Sequence, residues 1–437
     1  MIDLKRELHV GASIGLFWAM TRAYSLVGDP TGELESTDDV LGFCRRLREI
    51  PVVSSRTGFR YSADYEICSA VLRSPDASAG IPEPRNPLEA ILLGPMPPED
   101  RIDPLLDAII FKDGAEHSRI RKLVQPAFTH RVMQSWREAT ERVAGQLVDS
   151  FPTSGPVDLV QQWATPLPMA VICEILGVPF SERVTFSAWG DTLASGLDRA
   201  RSLGHARAME AAAVELTDYL AALLAERRRA PSDDLLSALA QVEVDGETLT
   251  DRDIVGTASF LLLAGFETTV NLLGSGTRVL LDHRNQLADV AADHSLIPGL
   301  VEESLRYVSP VQFTFRTALA PIDLPGGERL DERDTIVLML VGANRDPRVF
   351  TDPDRFDIRR DNARRHLAFG FGVHHCLGAA LARMEAEIAW RHLVERFPDT
   401  DAWQLAGDPV PTPGRMVRGL RSLPMTLGAA AHAAASA

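Results

Sequence analysis

Residues 369–378 read Phe-Gly-Phe-Gly-Val-His-His-Cys-Leu-Gly, and an amphipathic stretch continues from there to about Arg396. Gly370, Gly372 and Gly378 around a single cysteine, Cys376, let the backbone come close to something flat and bulky. They also permit turns whose N–H groups point at the sulfur. A cysteine at the start of a helix sits at the positive end of the helix dipole, which favours thiolate over thiol. The stretch therefore offers one anionic sulfur to a metal or an electrophile. A zinc site at His374, His375 and Cys376 is a poor alternative, because adjacent residues rarely all face one tetrahedral ion. An inert cysteine in a Gly-rich turn would account for Cys376 alone.

Around this stretch lies a chain of 437 residues, 45% hydrophobic and 24% charged, with a formal charge of −15. Such composition excludes collagen-like, mucin-like and wholly disordered classes, and the acidity disfavours a nucleic-acid surface. The four cysteines, at positions 44, 68, 173 and 376, are far apart. That is no disulfide framework, and a reducing, cytoplasmic compartment is expected. Near the start, Lys5 and Arg6 precede an apolar stretch from Val10 to Met20, much shorter than the roughly 20 residues that span a bilayer. A packed or membrane-surface N-terminal helix is expected there, rather than an exported leader or a membrane span.

Helical periodicity dominates the remainder. Residues 132–150 and 205–229 carry apolar positions at helical spacing, and the longest pattern runs from Asp251 to about Asp282. Thr250 and Asp253 stand at capping-box spacing at its start. Its middle, SFLLLAGFETTVNLLG, is apolar almost all round, so this helix should run through the core. A shorter helix is expected from Pro298 to Val308. Strands are expected at Thr335–Val341, at Phe59–Tyr61 and near the C-terminus. The Pro-rich region 81–104 cannot be one regular element, and loops of that length usually serve function. No repeat or linker divides the chain, so 1–437 reads as one domain. Residues 1–40 are of unassigned packing, and 429–437 form an Ala-rich tail.

The ten residues from Phe369 meet every fixed position of F-G-x-G-x-H-x-C-x-G, and on this the chain resembles the cytochrome P450 family of haem-thiolate monooxygenases. Other family landmarks follow in order, from about residue 50 to the end. Ala264-Gly265-Phe266-Glu267-Thr268-Thr269 resembles the family's oxygen-handling acid–alcohol pair. Glu303-Ser304-Leu305-Arg306 resembles E-x-x-R, and Pro353-Asp354-Arg355-Phe356 resembles P-x-R-F. His117-Ser118-Arg119-Ile120-Arg121 resembles H-x-x-x-R, and Arg316 matches the arginine after the E-x-x-R helix. The resemblance implies a mostly helical fold with a small β-rich region, built as one unit around haem b. Cys376 would be the iron ligand, with Phe369 packed near the sulfur and Gly370 and Gly378 shaping the loop. His117, Arg121, Arg316 and His374 would receive the haem carboxylates. Glu303, Arg306 and Arg355 would form a buried charged triad, and Glu267 and Thr268 would deliver protons.

The implied activity is insertion of one oxygen atom from O2, by hydroxylation or epoxidation, since an electron-rich thiolate favours O–O cleavage. No G-x-G-x-x-G follows a strand, so NAD(P)H-derived electrons should arrive through a separate ferredoxin and ferredoxin reductase. Arg364, Arg365 and Arg383 are the candidate docking patch. Candidate pocket residues are Leu92, Leu93, Met96, Phe111, Phe260, Leu263, Ala264, Gln312 and Phe313. Their apolar character points to a lipophilic substrate, and the Ala- and Arg-rich composition is associated with bacterial secondary metabolism. A monomer is expected. Desaturation, oxidative coupling and peroxide-driven oxidation remain open within the same chemistry. A non-catalytic haem-based gas or redox sensor is the alternative of another class, against which the intact Glu267–Thr268 pair counts.

Overall fold

The computed structural model describes residues 4–84, 101–128, 130–152, 155–196 and 200–429. The helices that frame the site are α1 (Leu4–Ser25), α2 (Gly114–Val124), α3 (His130–Asp149), α4 (Pro166–Leu176), α5 (Arg183–Ala194), α6 (Leu203–Arg229), α7 (Asp251–Asp282), α8 (Ile297–Val308) and α9 (Ala379–Arg396). The periodic stretches thus fold as read, with boundaries shifted by a residue or two.

The long helix α7 begins at the expected capping box. The Thr250 hydroxyl accepts from Asp253 N–H and the Asp253 carboxylate accepts from Thr250 N–H, so two otherwise unsatisfied donors are met. Apolar side chains on all sides then let α7 pack against α4, α5, α6, α8 and α9 at once. Its lining, with Leu262, Leu263, Phe266 and Leu273 all at most 3% exposed, joins the largest core cluster. The helix is long and apolar enough to cross a membrane, but two-thirds of its apolar window is buried inside the protein. That matches a core helix. At the crossing of α7 and α9, the Trp390 indole N–H donates to Thr277 Oγ1 at 3.0 Å.

The apolar N-terminal stretch is part of α1. It packs on the helix Pro30–Ser36 and reaches α6, where Glu7 accepts two hydrogen bonds from Arg207 at 2.7 and 2.8 Å.

The main sheet has strands β1 (Val53–Ser54), β2 (Phe59–Ser62), β3 (Ala77–Ser78), β4 (Thr314–Ala318) and β5 (Thr335–Leu338), in spatial order β1-β2-β5-β4-β3. β5 runs parallel to β2 and antiparallel to β4, with Ile336 opposite both Arg60 and Arg316. The strand expected over Thr335–Val341 ends at Leu338. A helical turn, Leu340–Ala343, follows and delivers Asn344, whose buried amide accepts from Leu367 N–H and donates to Ser309 Oγ. Small sheets near the C-terminus pair 404–405 with 424–426 and 410–411 with 420–422.

Candidate active site

The loop of residues 369–378 turns through two left-handed glycines, Gly370 at φ 66° and Gly372 at φ 70°. A Cβ on Gly372 would lie 2.4 Å from the Leu72 carbonyl, so neither the turn nor the packing admits a side chain there. The Cys376 N–H closes the loop on the Phe369 carbonyl at 2.9 Å. Gly378 caps α9 and directs its N–H at the sulfur. Cys376 is an exposed residue, while Cys44, Cys68 and Cys173 are buried. The protein around its cleft pushes the thiol pKa up, whereas the Gly378 N–H and the Arg121 and Arg383 guanidinium groups pull it down. A coordinated metal would hold the sulfur as thiolate, since a ligating thiol is deprotonated outright.

Basic groups gather here from three elements. His117 and Arg121 lie on α2, Arg316 on β4, and His374 in the loop itself. The His117 and His374 rings are 4.2 Å apart, and Arg121 donates to the His375 carbonyl at 2.8 Å. His374 Nε2 donates to Asp113, 3.3 Å away. Burial raises the Asp113 carboxyl, but hydrogen bonds from His374, Ser78 and the Ala79 and Gly80 amides hold it well below the usual range. Burial, with His374 and Arg121 adding to it, pushes His117 down to about 4, so it is neutral at pH 7. Arg316 is 7% exposed, and burial lowers it to about 10, which leaves it charged. Its Nη1 bonds are to Thr314 Oγ1 and the Phe315 carbonyl, and His117 Nε2 is buried without a hydrogen-bond partner. Such groups suit an anionic ligand, because buried donors and charges require acceptors. An exposed cysteine beside this donor set fits haem b, a planar group with two carboxylates.

On α7, Thr268 Oγ1 donates to the Ala264 carbonyl at 2.6 Å, and Thr269 Oγ1 donates to Gly265 O at 3.1 Å. Glu267 is half-buried beside them. A carboxyl the motifs did not flag lies nearby: Glu385 on α9, 3% exposed and hydrogen-bonded to Thr269. Burial pushes it up to about 8, although the Thr269 contact lowers it.

Glu303 and Arg306 are both fully buried and form a bidentate pair, 2.7 Å at each contact. The expected third member is corrected. The Arg355 side chain is 69% exposed and points at Asp357, 3.5 Å away. Arg360 takes its place, with Nε 3.2 Å from Glu303 Oε1 and its other nitrogens on the carbonyls of Thr351, Asp352 and Arg355. Arg355 contributes its backbone carbonyl, which also accepts from Arg306 at 3.1 Å. The sequence signal for Arg360 was only another arginine five residues on.

The docking patch also changes. Arg383 is held in a fork on Glu302, with Nε at 2.5 Å, and lies over the Phe369 ring at 4.6 Å. Arg364 remains 76% exposed, and Arg365 lies 5.6 Å from the Tyr65 ring.

Among the pocket candidates, Leu92, Leu93 and Met96 lie outside the described residues. Phe111 meets Phe315 at 6.4 Å between ring centroids, and Phe260 and Ala264 are half-buried on α7. Leu263, 1% exposed, is a core residue. Gln312 is no polar pocket wall, because its amide donates to the Val308 and Ser309 carbonyls at the end of α8. Phe313 packs on the cluster of Phe43 and Tyr61.

Residues 276–401 match the sequence family described as Cytochrome P450. The chain is 43% identical to the cytochrome P450 monooxygenase PikC of Streptomyces venezuelae over 317 residues, 72% of this chain and 74% of PikC. It is 37% identical to a putative cytochrome P450 140 of Mycobacterium tuberculosis, over 98% of this chain and 99% of that protein. Among solved structures, the Bacillus subtilis bacillaene polyketide synthase cytochrome P450 PksS superposes with a TM-score of 0.79 at 33% identity. That match covers 91% of this chain and 98% of the other.

Proposed function

The chain belongs to the cytochrome P450 family, and we propose that it is a haem-thiolate monooxygenase acting on a lipophilic secondary metabolite of polyketide type. The observation that carries this is the exposed Cys376, set in its glycine loop beside His117, Arg121, Arg316 and His374. Similarity to PksS, the cytochrome P450 of the Bacillus subtilis bacillaene polyketide synthase, supports the substrate class. Bound haem would supply iron chemistry in which a thiolate ligand favours O–O cleavage.

The protein's own contributions follow from its side chains. Cys376 supplies the thiolate, and Gly378 N–H bonds to the sulfur and moderates its charge. Arg121, Arg316, His117 and His374 would hold the two haem carboxylates. Thr268 has already committed its proton to Ala264 O, so towards the cavity its oxygen acts as an acceptor and can hold a water or a protonated group. Glu267, one residue away, exchanges protons with that water. Phe111 and Phe315, paired at 6.4 Å, and the half-buried Phe260 are the apolar contacts that would favour a lipophilic substrate.

Electrons are supplied by a separate ferredoxin and its reductase in the cytoplasm, with Arg364 and Arg365 offering an exposed cationic edge for an acidic partner. The test is substrate-dependent oxygen consumption by the holoprotein with ferredoxin, reductase and NAD(P)H, after spectral titration of the ferric protein against polyketide macrolactones. Product containing one added oxygen is expected. Spectral binding without oxygen uptake would leave a haem sensor and overturn the catalytic reading.

A further inference from the structure

We propose that Glu302 is a positioning residue for the Cys376 loop, acting through Arg383 and His366 on Phe369. The inference rests on the haem-thiolate reading above. Glu302 and Glu303 are neighbours on α8, yet they serve different partners. Glu303 holds Arg306 and Arg360, whereas Glu302 turns to the cysteine loop. Its carboxylate is 4% exposed and accepts from Arg383 Nε at 2.5 Å, Arg383 Nη2 at 3.2 Å and His366 Nε2 at 3.1 Å.

Both partners grip the same ring. The Arg383 guanidinium lies 4.6 Å over Phe369, and the His366 ring is 5.7 Å from it. His366 Nδ1 accepts from Ala368 N–H at 3.2 Å. That places the proton of the neutral ring on Nε2, where it can donate to Glu302. His366 enters the loop and Arg383 lies on the helix that leaves it, so one carboxylate ties the two ends together with Phe369 between them. The Phe369 carbonyl in turn receives the Cys376 N–H.

The same geometry sets the charge near the sulfur. Arg383 lies over Phe369, whose carbonyl receives the Cys376 N–H, and the Glu302 carboxylate offsets the positive charge that Arg383 brings there. Without the carboxylate, the half-buried Arg383 guanidinium would be left beside the cysteine loop without its counter-charge. The sulfur would then donate less electron density to the iron, and the ferrous state would be easier to reach. A buried ion pair that only stabilised the fold would not do this. Glu141 provides the comparison: on α3 it accepts from Arg391 at 2.6 and 2.5 Å and from His392 at 2.8 Å, at the other end of α9. The chemistry is the same, and the loop is not involved.

The experiment uses the haem-loaded protein as wild type, Glu302→Gln, Glu302→Ala and Glu141→Ala. The readouts are the ferric/ferrous midpoint potential and the Soret band of the reduced CO complex. Both Glu302 variants should raise the midpoint. Glu302→Ala should also move part of the CO complex from the red-shifted thiolate band to the blue-shifted band of a lost thiolate. Glu141→Ala should lower the melting temperature and leave potential and band as in wild type. If Glu302→Ala takes up no haem, the near-isosteric Glu302→Gln decides alone. A wild-type potential in Glu302→Gln, or an equal shift in Glu141→Ala, overturns the positioning role and leaves the haem-thiolate reading intact. A wild-type protein without the red-shifted band would overturn both.

Discussion

Glu303 is a carboxylate at 0% exposure, and a buried charge persists only when paired and hydrogen-bonded on every side. The Asp357 N–H, Arg306 and Arg360 meet that need. Arg360→Ala should therefore cost on the order of 3–5 kcal/mol and sharply reduce the yield of haem-containing protein. Arg355→Ala removes an exposed side chain and should change stability by no more than about 0.5 kcal/mol. The measurement is the haem absorbance per mole of purified protein, with denaturant midpoints for both variants. Equal losses would return Arg355 to the triad. The motif spacing located this network but not its third side chain, because an arginine's place in sequence does not say whether its long stem turns inward. Thr268 shows a different limit: its backbone bond to Ala264 is what any mid-helix threonine makes, and the proton-delivery role proposed for it rests on the remaining acceptor capacity. Thr268→Ala should bind substrate almost normally and divert most NAD(P)H-derived electrons to hydrogen peroxide. Unchanged coupling of NAD(P)H to product would assign the proton path to another group.

The helices were the most legible elements. Asp251–Asp282 announced itself by an apolar middle and a capping box, and both ends are where the pattern put them. What periodicity does not show is which polar groups meet when two such helices cross. Glu385 sits at a core position of α9 and looks like any charged residue of an amphipathic stretch, yet it is buried against Thr269 on α7. Its pKa rises from 4.5 to about 8. Between those two values the unfolded chain has released a proton that the folded protein keeps. Stability from this group is thus complete below about pH 4.5 and falls as pH rises towards about 8, by at most roughly 1.4 kcal/mol per pH unit. Glu385→Gln should flatten that slope between pH 5.5 and 7.5 and be the more stable protein at the upper end. Denaturant unfolding at the two pH values checks it, and parallel slopes for wild type and variant would show that Glu385 is ionised in the fold.

At the scale of the whole molecule, the order of motifs along the chain carried the fold, because each short pattern is common alone and their sequence of appearance is not. Their assembly is a matter of contacts no pattern contains. His117 meets His374 across more than half the chain, and Arg383, expected as a free docking residue, is committed to Glu302. Arg364 stays exposed although its Nε lies 3.9 Å from Glu302, and it is the cation we propose for an acidic redox partner. Arg364→Glu should therefore weaken ferredoxin-supported turnover, most strongly at low ionic strength, while leaving ligand-binding spectra unchanged. A salt-independent or absent effect would place the partner elsewhere. The central claim, that Cys376 is the sulfur on the iron, is tested most directly by the absorbance spectrum of the dithionite-reduced, CO-bound holoprotein. Wild type should show the strongly red-shifted Soret band of thiolate-ligated haem, and Cys376→Ala should lose it. A wild type without that band, or a Cys376→Ala protein that keeps it, would contradict the assignment.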